Sequence, residues 1–199
     1  MLSPDATDIT PELIRRAAAG DASAHEAIFR AYQRPVYSLI RRLISRTAVA
    51  DDLFQEVFVE ILRSIGSYTG QGAFGGWVRS IAVSKCLMYL RSPWHRSLLW
   101  LDAEAQDEAA EIPDRGATPE GEATLHADLE RAMAELPALT RSVVWLHDVE
   151  GYTHGEIARL MGRTTSFSKS QLARAHVRLR ELLDPTPESV PCTPLSTNC

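Results

Sequence analysis

Side chains able to read or grip a nucleic acid are concentrated between Thr153 and Leu183. Ser166, Phe167, Lys169, Ser170 and Gln171 fall at the start of a predicted helix, and Arg174 and Arg178 follow four apart on one of its faces. A glutamine amide pairs bidentately with adenine, and a lysine reaches guanine acceptors or phosphate. Arginines at that spacing suit phosphates or deeper base contact. Upstream, Thr153-His154-Gly155-Glu156 has the form of a capping box, and Gly162 stands where a left-handed stop belongs. A short capped helix, a tight glycine turn and a longer basic helix make a helix-turn-helix pattern, whose second helix enters the major groove. The plainer alternative is a helical hairpin with a solvated basic face. Cap, turn and basic stripe agree with one another, which favours DNA. Catalytic patterns are missing: the sequence has no P-loop, HExxH, Gly-x-Ser-x-Gly or CxxC pair.

A second group lies on a helix predicted from about residue 50 to 65. Phe54, Phe58, Ile61, Leu62 and Ile65 form an apolar stripe expected to face a core. Asp51, Asp52, Gln55, Glu56 and Val59 are left for other faces, open to a partner with arginine-rich helices. The alternative is an ordinary acidic solvated face. A third group follows a loop with five glycines between Gly66 and Gly76. Its helix, predicted from Trp77 to about Arg91, carries Arg79, Lys85 and Arg91, charges that seldom bury unpaired and so suit phosphate.

The elements that must position these groups all read as helix, so the fold class is all-α. Thr10-Pro11-Glu12 starts a first helix that stops near Gly20. Asp21 caps a second, which Pro35 is expected to bend or break. In the C-terminal half, Leu125, Leu129, Met133 and Leu136 form a stripe ended by Pro137. Thr140 opens the next helix, stopped at Gly151. Two small helical domains are expected, over 1–96 and 124–184, the second a helix-turn-helix domain. A flexible acidic linker, 97–123, joins them, and a disordered tail covers 185–199. Trp94, Leu98, Leu99, Trp100 and Leu101 are too apolar to be idle and are expected to pack on the first domain. The 199 residues carry a formal charge of −5, which at first argues against nucleic acid. The distribution reverses that: 1–96 holds 12 Lys and Arg against 9 acids, and 124–184 holds eight of each. The acidity sits in 97–123, with one arginine against eight acids.

Here the sequence resembles a known family. Glu135-Leu136-Pro137, Val149-Glu150-Gly151-Tyr152, Glu156-Ile157-Ala158, Gly162, Lys169-Ser170 and Arg178-Leu179-Arg180-Glu181-Leu182-Leu183 resemble the C-terminal domain of extracytoplasmic-function (ECF) sigma factors. That domain reads the −35 promoter element. Asp51-Asp52-Leu53-Phe54-Gln55-Glu56-Val57-Phe58 resembles the segment that docks on the β′ clamp helices of RNA polymerase. Gly75-Gly76-Trp77-Val78-Arg79-Ser80-Ile81-Ala82, with Lys85 and Leu90-Arg91, resembles the segment for the −10 element. The resemblance implies a flipped base captured by the preceding loop. Such a base needs an aromatic or apolar wall, which Tyr68 and Phe74 supply unless Phe74 is core. Trp77 reads as core more readily than as a base contact. The resemblance further implies core RNA polymerase as partner through the β′ clamp helices and the β flap, double-stranded and melted promoter DNA, and an anti-sigma factor. It implies that the acidic linker passes near the polymerase channel. Arg163, Ser166-Phe167-Ser168, Gln171 and His176 depart from the usual pattern, which leaves the −35 sequence open.

The runner-up is a stand-alone DNA-binding regulator that uses residues 124–184 alone. An enzyme has little support, and no cofactor is expected. Cys192 and Cys199 bracket six residues of tail and are read as inert rather than as a metal or redox sensor. Cys86 reads as a buried small apolar residue, and His147 and His154 as helix-surface residues. With no apolar run of about 20 residues and no signal sequence, no membrane insertion is expected and the default compartment is the cytoplasm.

Overall fold

The computed structural model describes residues 9–92 and 120–183, with side chains of the second segment from 127 onward. Among the described residues all regular structure is helical. The N-terminal unit holds α1 (Pro11–Ala18), α2 (Ala22–Leu43), α3 (Thr47–Ser64) and α4 (Phe74–Arg91), with a 3-10 turn at Ile65–Ser67. The C-terminal unit holds α5 (Glu120–Ala134), α6 (Ala138–Val144), a π turn at Trp145–Val149, α7 (His154–Met161) and α8 (Thr165–Leu183). The acidic linker, the apolar run from Trp94 to Leu101 and the tail with Cys192 and Cys199 lie outside the described residues.

The first core forms where α2, α3 and α4 meet. Ile28, Tyr32, Val36 and Ile40 of α2 recur every fourth residue and are buried, as helical periodicity demands of one face. Leu53, Val57 and Ile61 of α3 and Val78, Ala82 and Cys86 of α4 close on them. Asp21 caps α2, its carboxylate accepting from the amides of Ser23 at 2.8 Å and Ala24 at 3.3 Å. That carboxyl is held far below its ordinary range, chiefly by the Ser23 and Arg16 hydrogen bonds. α2 runs through Pro35 without a break. The proline removes one amide donor and crowds a carbonyl, about 3 kcal/mol in an unsupported helix. The buried residues on both sides of it each contribute roughly 1.5–3 kcal/mol, which holds the helix together.

Four more features differ from expectation. The buried stripe of α3 is Ala50, Leu53, Val57, Phe58 and Ile61, while Phe54 and Leu62 are half-buried at its flank. α4 starts at Phe74, so Gly75 and Gly76 lie inside its first turn. There the chain packs close: a Cβ on Gly75 would stand 3.3 Å from the Tyr32 hydroxyl. The helix expected to open at Thr140 starts at Ala138, and Thr140 is buried within it. Leu129 of α5 is exposed, and Ala132 and Leu136 take the core places.

In the C-terminal unit α8 lies against α5, α6 and α7. The capping box forms as read: the Thr153 amide donates to Glu156 Oε2 at 2.8 Å, and the Glu156 amide donates to Thr153 Oγ1 at 3.3 Å. Gly162 ends α7 at φ +58°, and the Arg163 amide returns to the Ala158 carbonyl at 2.8 Å. Among the described residues no helix is long and apolar enough to cross a membrane.

Candidate nucleic-acid interface

The turn after Gly162 aims α8. Thr164 caps it, its hydroxyl accepting from the Phe167 amide at 3.1 Å. Ser168, Leu172, Ala175 and Leu179 are buried and fix which face points inward. The opposite face is therefore set: Ser166, Ser170, Ala173 and Val177 form an exposed seam, with Lys169 on one flank and Arg174 on the other. Phe167 and Gln171 are half-buried at the flank, and Arg178 is exposed beyond them. The Gln171 carbonyl accepts from the Thr140 hydroxyl at 2.7 Å, so one end of that amide is spent inside the fold. Arg163 lies over the Phe167 ring at 5.6 Å. Ala173 and Val177 were not singled out from sequence, although the same periodicity locates them; Val177 is 53% exposed. Apolar groups in a reading face suit a thymine methyl.

On α3 the residues Asp51, Asp52, Gln55, Glu56 and Val59 are all exposed and share a face away from the core. Asp51 accepts from the Tyr37 hydroxyl at 2.8 Å. Beside it, Gln33, Arg34, Tyr37, Asp51, Phe54 and Gln55 line a shallow open depression between α2 and α3. Val59, 47% exposed amid polar neighbours, is the apolar point of this acidic face.

The third group is divided by the fold. Phe74 is buried, its ring packed against Tyr32 at 5.7 Å, Tyr68 at 5.2 Å and Trp77 at 5.4 Å. Tyr68 and Trp77 are half-buried, and the Tyr68 hydroxyl donates to the Gly72 carbonyl at 2.6 Å, which pins the glycine loop. Lys85 lies 3.4 Å from Glu60. The other two cations meet the C-terminal unit. Arg79 pairs with Glu150 at 3.2 Å, their side chains 20% and 6% exposed. This is charge contact without an aligned hydrogen bond. Arg91 donates to the Leu160 carbonyl at 3.1 Å and crowds Gly162, where a Cβ would stand 3.0 Å from the guanidinium. Further contacts join the units: Arg42 covers the Trp145 ring at 4.3 Å, and Arg141 donates to Ser45. The Trp145 indole donates to the second Glu150 oxygen at 3.2 Å. Burial beside this cluster pushes the Tyr152 phenol up.

Among the described residues no group of three or more His, Cys, Asp or Glu is placed to hold a metal ion. The Cys86 thiol, fully buried in α4, is pushed up to about 12 by burial.

Comparison with known proteins follows the same division of the chain. Residues 28–96 match the family Sigma-70 region 2, and residues 126–179 match Sigma-70, region 4. The ECF RNA polymerase sigma-E factor of Haemophilus influenzae is 32% identical over 181 residues, covering 87% of this chain and 94% of that protein. The ECF RNA polymerase sigma factor SigM of Mycobacterium tuberculosis is 34% identical over 173 residues, covering 86% and 83%. Among solved structures, the sigma factor RpoE of Bartonella quintana, in complex with the anti-sigma factor NepR, superposes with a TM-score of 0.58. At 20% identity, over 81% of this chain and 98% of that one, it supports the fold alone.

Proposed function

The chain belongs to the sigma-70 family, within its ECF group, and from that membership we propose how its surfaces divide the work. It is an RNA polymerase sigma factor that directs core polymerase to specific promoters. Sigma factors are DNA-binding regulators, and we read this chain as one without catalysis of its own. We assign residues 1–96 to polymerase binding and the −10 element, 97–123 to the linker, and 124–184 to the −35 element.

In this reading Asp51, Asp52, Gln55, Glu56 and Val59 dock on basic helices of the β′ clamp. The joint exposure of all five on one face of α3 is the observation that carries it. Acidic groups steer a cationic partner, and Val59 supplies the desolvated contact that holds it. Lys169, Arg174 and Arg178 grip phosphates, while Ser166, Ser170 and Gln171 meet base edges beside the apolar Ala173 and Val177. Phe167 shapes the edge of that face. For the −10 element, Tyr68 and Trp77 are the half-buried rings left to wall an extruded base, with Phe74 behind them as support. Arg79, Lys85 and Arg91 reach phosphate once their present partners are exchanged for it. We further assign an anti-sigma factor as a partner, by analogy with the complex of the Bartonella protein.

Run-off transcription with core polymerase, on the fragment upstream of this protein's own gene, tests the reading. A specific start that needs the protein is the expected result. No transcript together with no comigration of protein and core polymerase would overturn it, in favour of a regulator that binds DNA alone.

A further inference from the structure

Ser168 is the one buried hydroxyl in the first turns of α8, on the inward face behind the reading seam. A buried hydroxyl needs a partner. Its partner among the described residues is His154 Nδ1 at 3.0 Å, from the first residue of α7. The His154 ring lies on the His147 ring, with centroids 4.4 Å apart and planes 20° from parallel. His147 Nδ1 is 2.8 Å from one oxygen of Asp148, and the other oxygen is 2.7 Å from His176 Nε2. One continuous network thus joins the π turn, α7 and α8, the three elements that frame the helix-turn-helix. It holds α8 at two points, Ser168 and His176, about 12 Å apart along the helix. Two attachments fix both the rotation and the tilt of a helix that must present its seam to DNA.

The charge state of His154 matters to this arrangement. Its surroundings are burial, the His147 ring, Lys169 of α8 and the positive N-terminal end of α7, all unfavourable to a cation, against Asp148 alone in favour. Burial, first, and then His147 and Lys169 hold its pKa below the ordinary histidine value. A neutral Nδ1 accepts from the Ser168 hydroxyl, whereas a protonated one can only donate to its oxygen, so the bond reverses and the buried hydroxyl proton must turn away from the ring.

We propose that His154 is a positioning residue for −35 recognition: its neutral ring, bonded to Ser168 and stacked on His147, locks the first turns of α8 in reading geometry, and protonation unlocks them. This rests on the sigma reading for its DNA target and not for its geometry. Any histidine that gains charge near DNA strengthens binding to every sequence alike, so the signature is read in the ratio of specific to non-specific binding, which falls in acid.

The test uses holoenzyme reconstituted from core polymerase and the full chain. Binding to a promoter fragment found by run-off transcription is compared with binding to the same fragment with its −35 element replaced, from about pH 8 to about pH 5.5, across the ordinary histidine value near 6.5. The wild type should lose roughly five- to tenfold in the ratio as pH falls, the scale of one rearranged buried hydrogen bond. His154→Asn, which keeps a polar atom near the place of Nδ1 and does not titrate, should hold at all pH values the selectivity that the wild type has near pH 8. His154→Ala and Ser168→Ala should be less selective throughout and flat with pH, while still comigrating with core polymerase. A wild-type ratio that does not fall in acid, or a His154→Asn protein with the wild-type profile, would overturn the proposal. A second readout needs no polymerase or promoter, and so separates this proposal from the sigma reading. In the full chain labelled with ¹⁵N-histidine, long-range ring spectra should show His154 as the Nε2–H tautomer. An Nδ1–H tautomer would overturn it.

Discussion

On the proposed assignment, Val59 is the place to separate partner binding from folding. It is 47% exposed and touches no core, so Val59→Asp should change stability by no more than about 0.5 kcal/mol. Loss of comigration with core polymerase is the expected outcome, and a tenfold weaker complex corresponds to about 1.4 kcal/mol. Lys169→Ala and Arg174→Ala should do the reverse: promoter binding weakens, polymerase binding is unchanged, and each lowers the salt slope of DNA binding by about 1. Equal loss of both activities would count against these assignments. Acid acts at single residues too, in two windows. The pKa of His154 is lowered from 6.5, so the fold favours its neutral form. That contribution is intact above about pH 6.5 and is lost as pH falls toward the lowered value. Partial desolvation of Asp148 alone would raise it, but the hydrogen bonds from His176 and His147 outweigh that and lower it from 3.8. Its contribution is present above 3.8 and lost as pH falls through the lowered value. Thermal unfolding against pH should show both windows in the wild type and only the lower one in His154→Asn.

Helix ends carry the next scale of effect. Thr153→Ala removes the hydroxyl half of the capping box and should cost about 1 kcal/mol in denaturant unfolding. Such ends were legible in the sequence, since Thr10, Asp21, Thr153 with Glu156 and Gly162 act through neighbours a few positions away. What escaped depends on contacts distant in the chain. Pro35 reads as a break until Tyr32, Val36 and Leu39 are seen buried around it. Gly75 and Gly76 read as loop until the first is seen against Tyr32. The π turn after Val144 closes through the Glu150 amide to the Trp145 carbonyl at 3.1 Å, which shifts the helical register before Gly151 and has no short sequence signature. The candidate faces fared likewise. Exposure of the α3 acids and of Lys169 and Arg174 follows from periodicity, whereas the partners of Arg79, Gln171 and Ser168 come from other elements.

Across the whole molecule, the two units share a polar seam. Arg42, Trp145, Glu150 and Arg79 touch in series, so the π turn is gripped from α2 and from α4 at once. Arg79 is spent in this seam, so the phosphate contact proposed for it requires the seam to part. Glu150→Gln leaves a largely buried guanidinium without its counter-charge, at a cost below the roughly 3–5 kcal/mol of breaking a fully buried pair. Separation of the units restores water to it. Small-angle scattering of the free variant should give a larger radius of gyration than the wild type, and an unchanged radius would show that the seam holds without the ion pair.

Cys86 carries a practical consequence. The chain has three cysteines, so with Cys192→Ser and Cys199→Ser a single thiol remains, fully buried and with its pKa pushed up to about 12. Such a sulfur is inert to alkylating reagents until the helices around it come apart. Its labelling rate is therefore a clock for the opening of the N-terminal core, readable by mass in crude mixtures and in the presence of any binding partner.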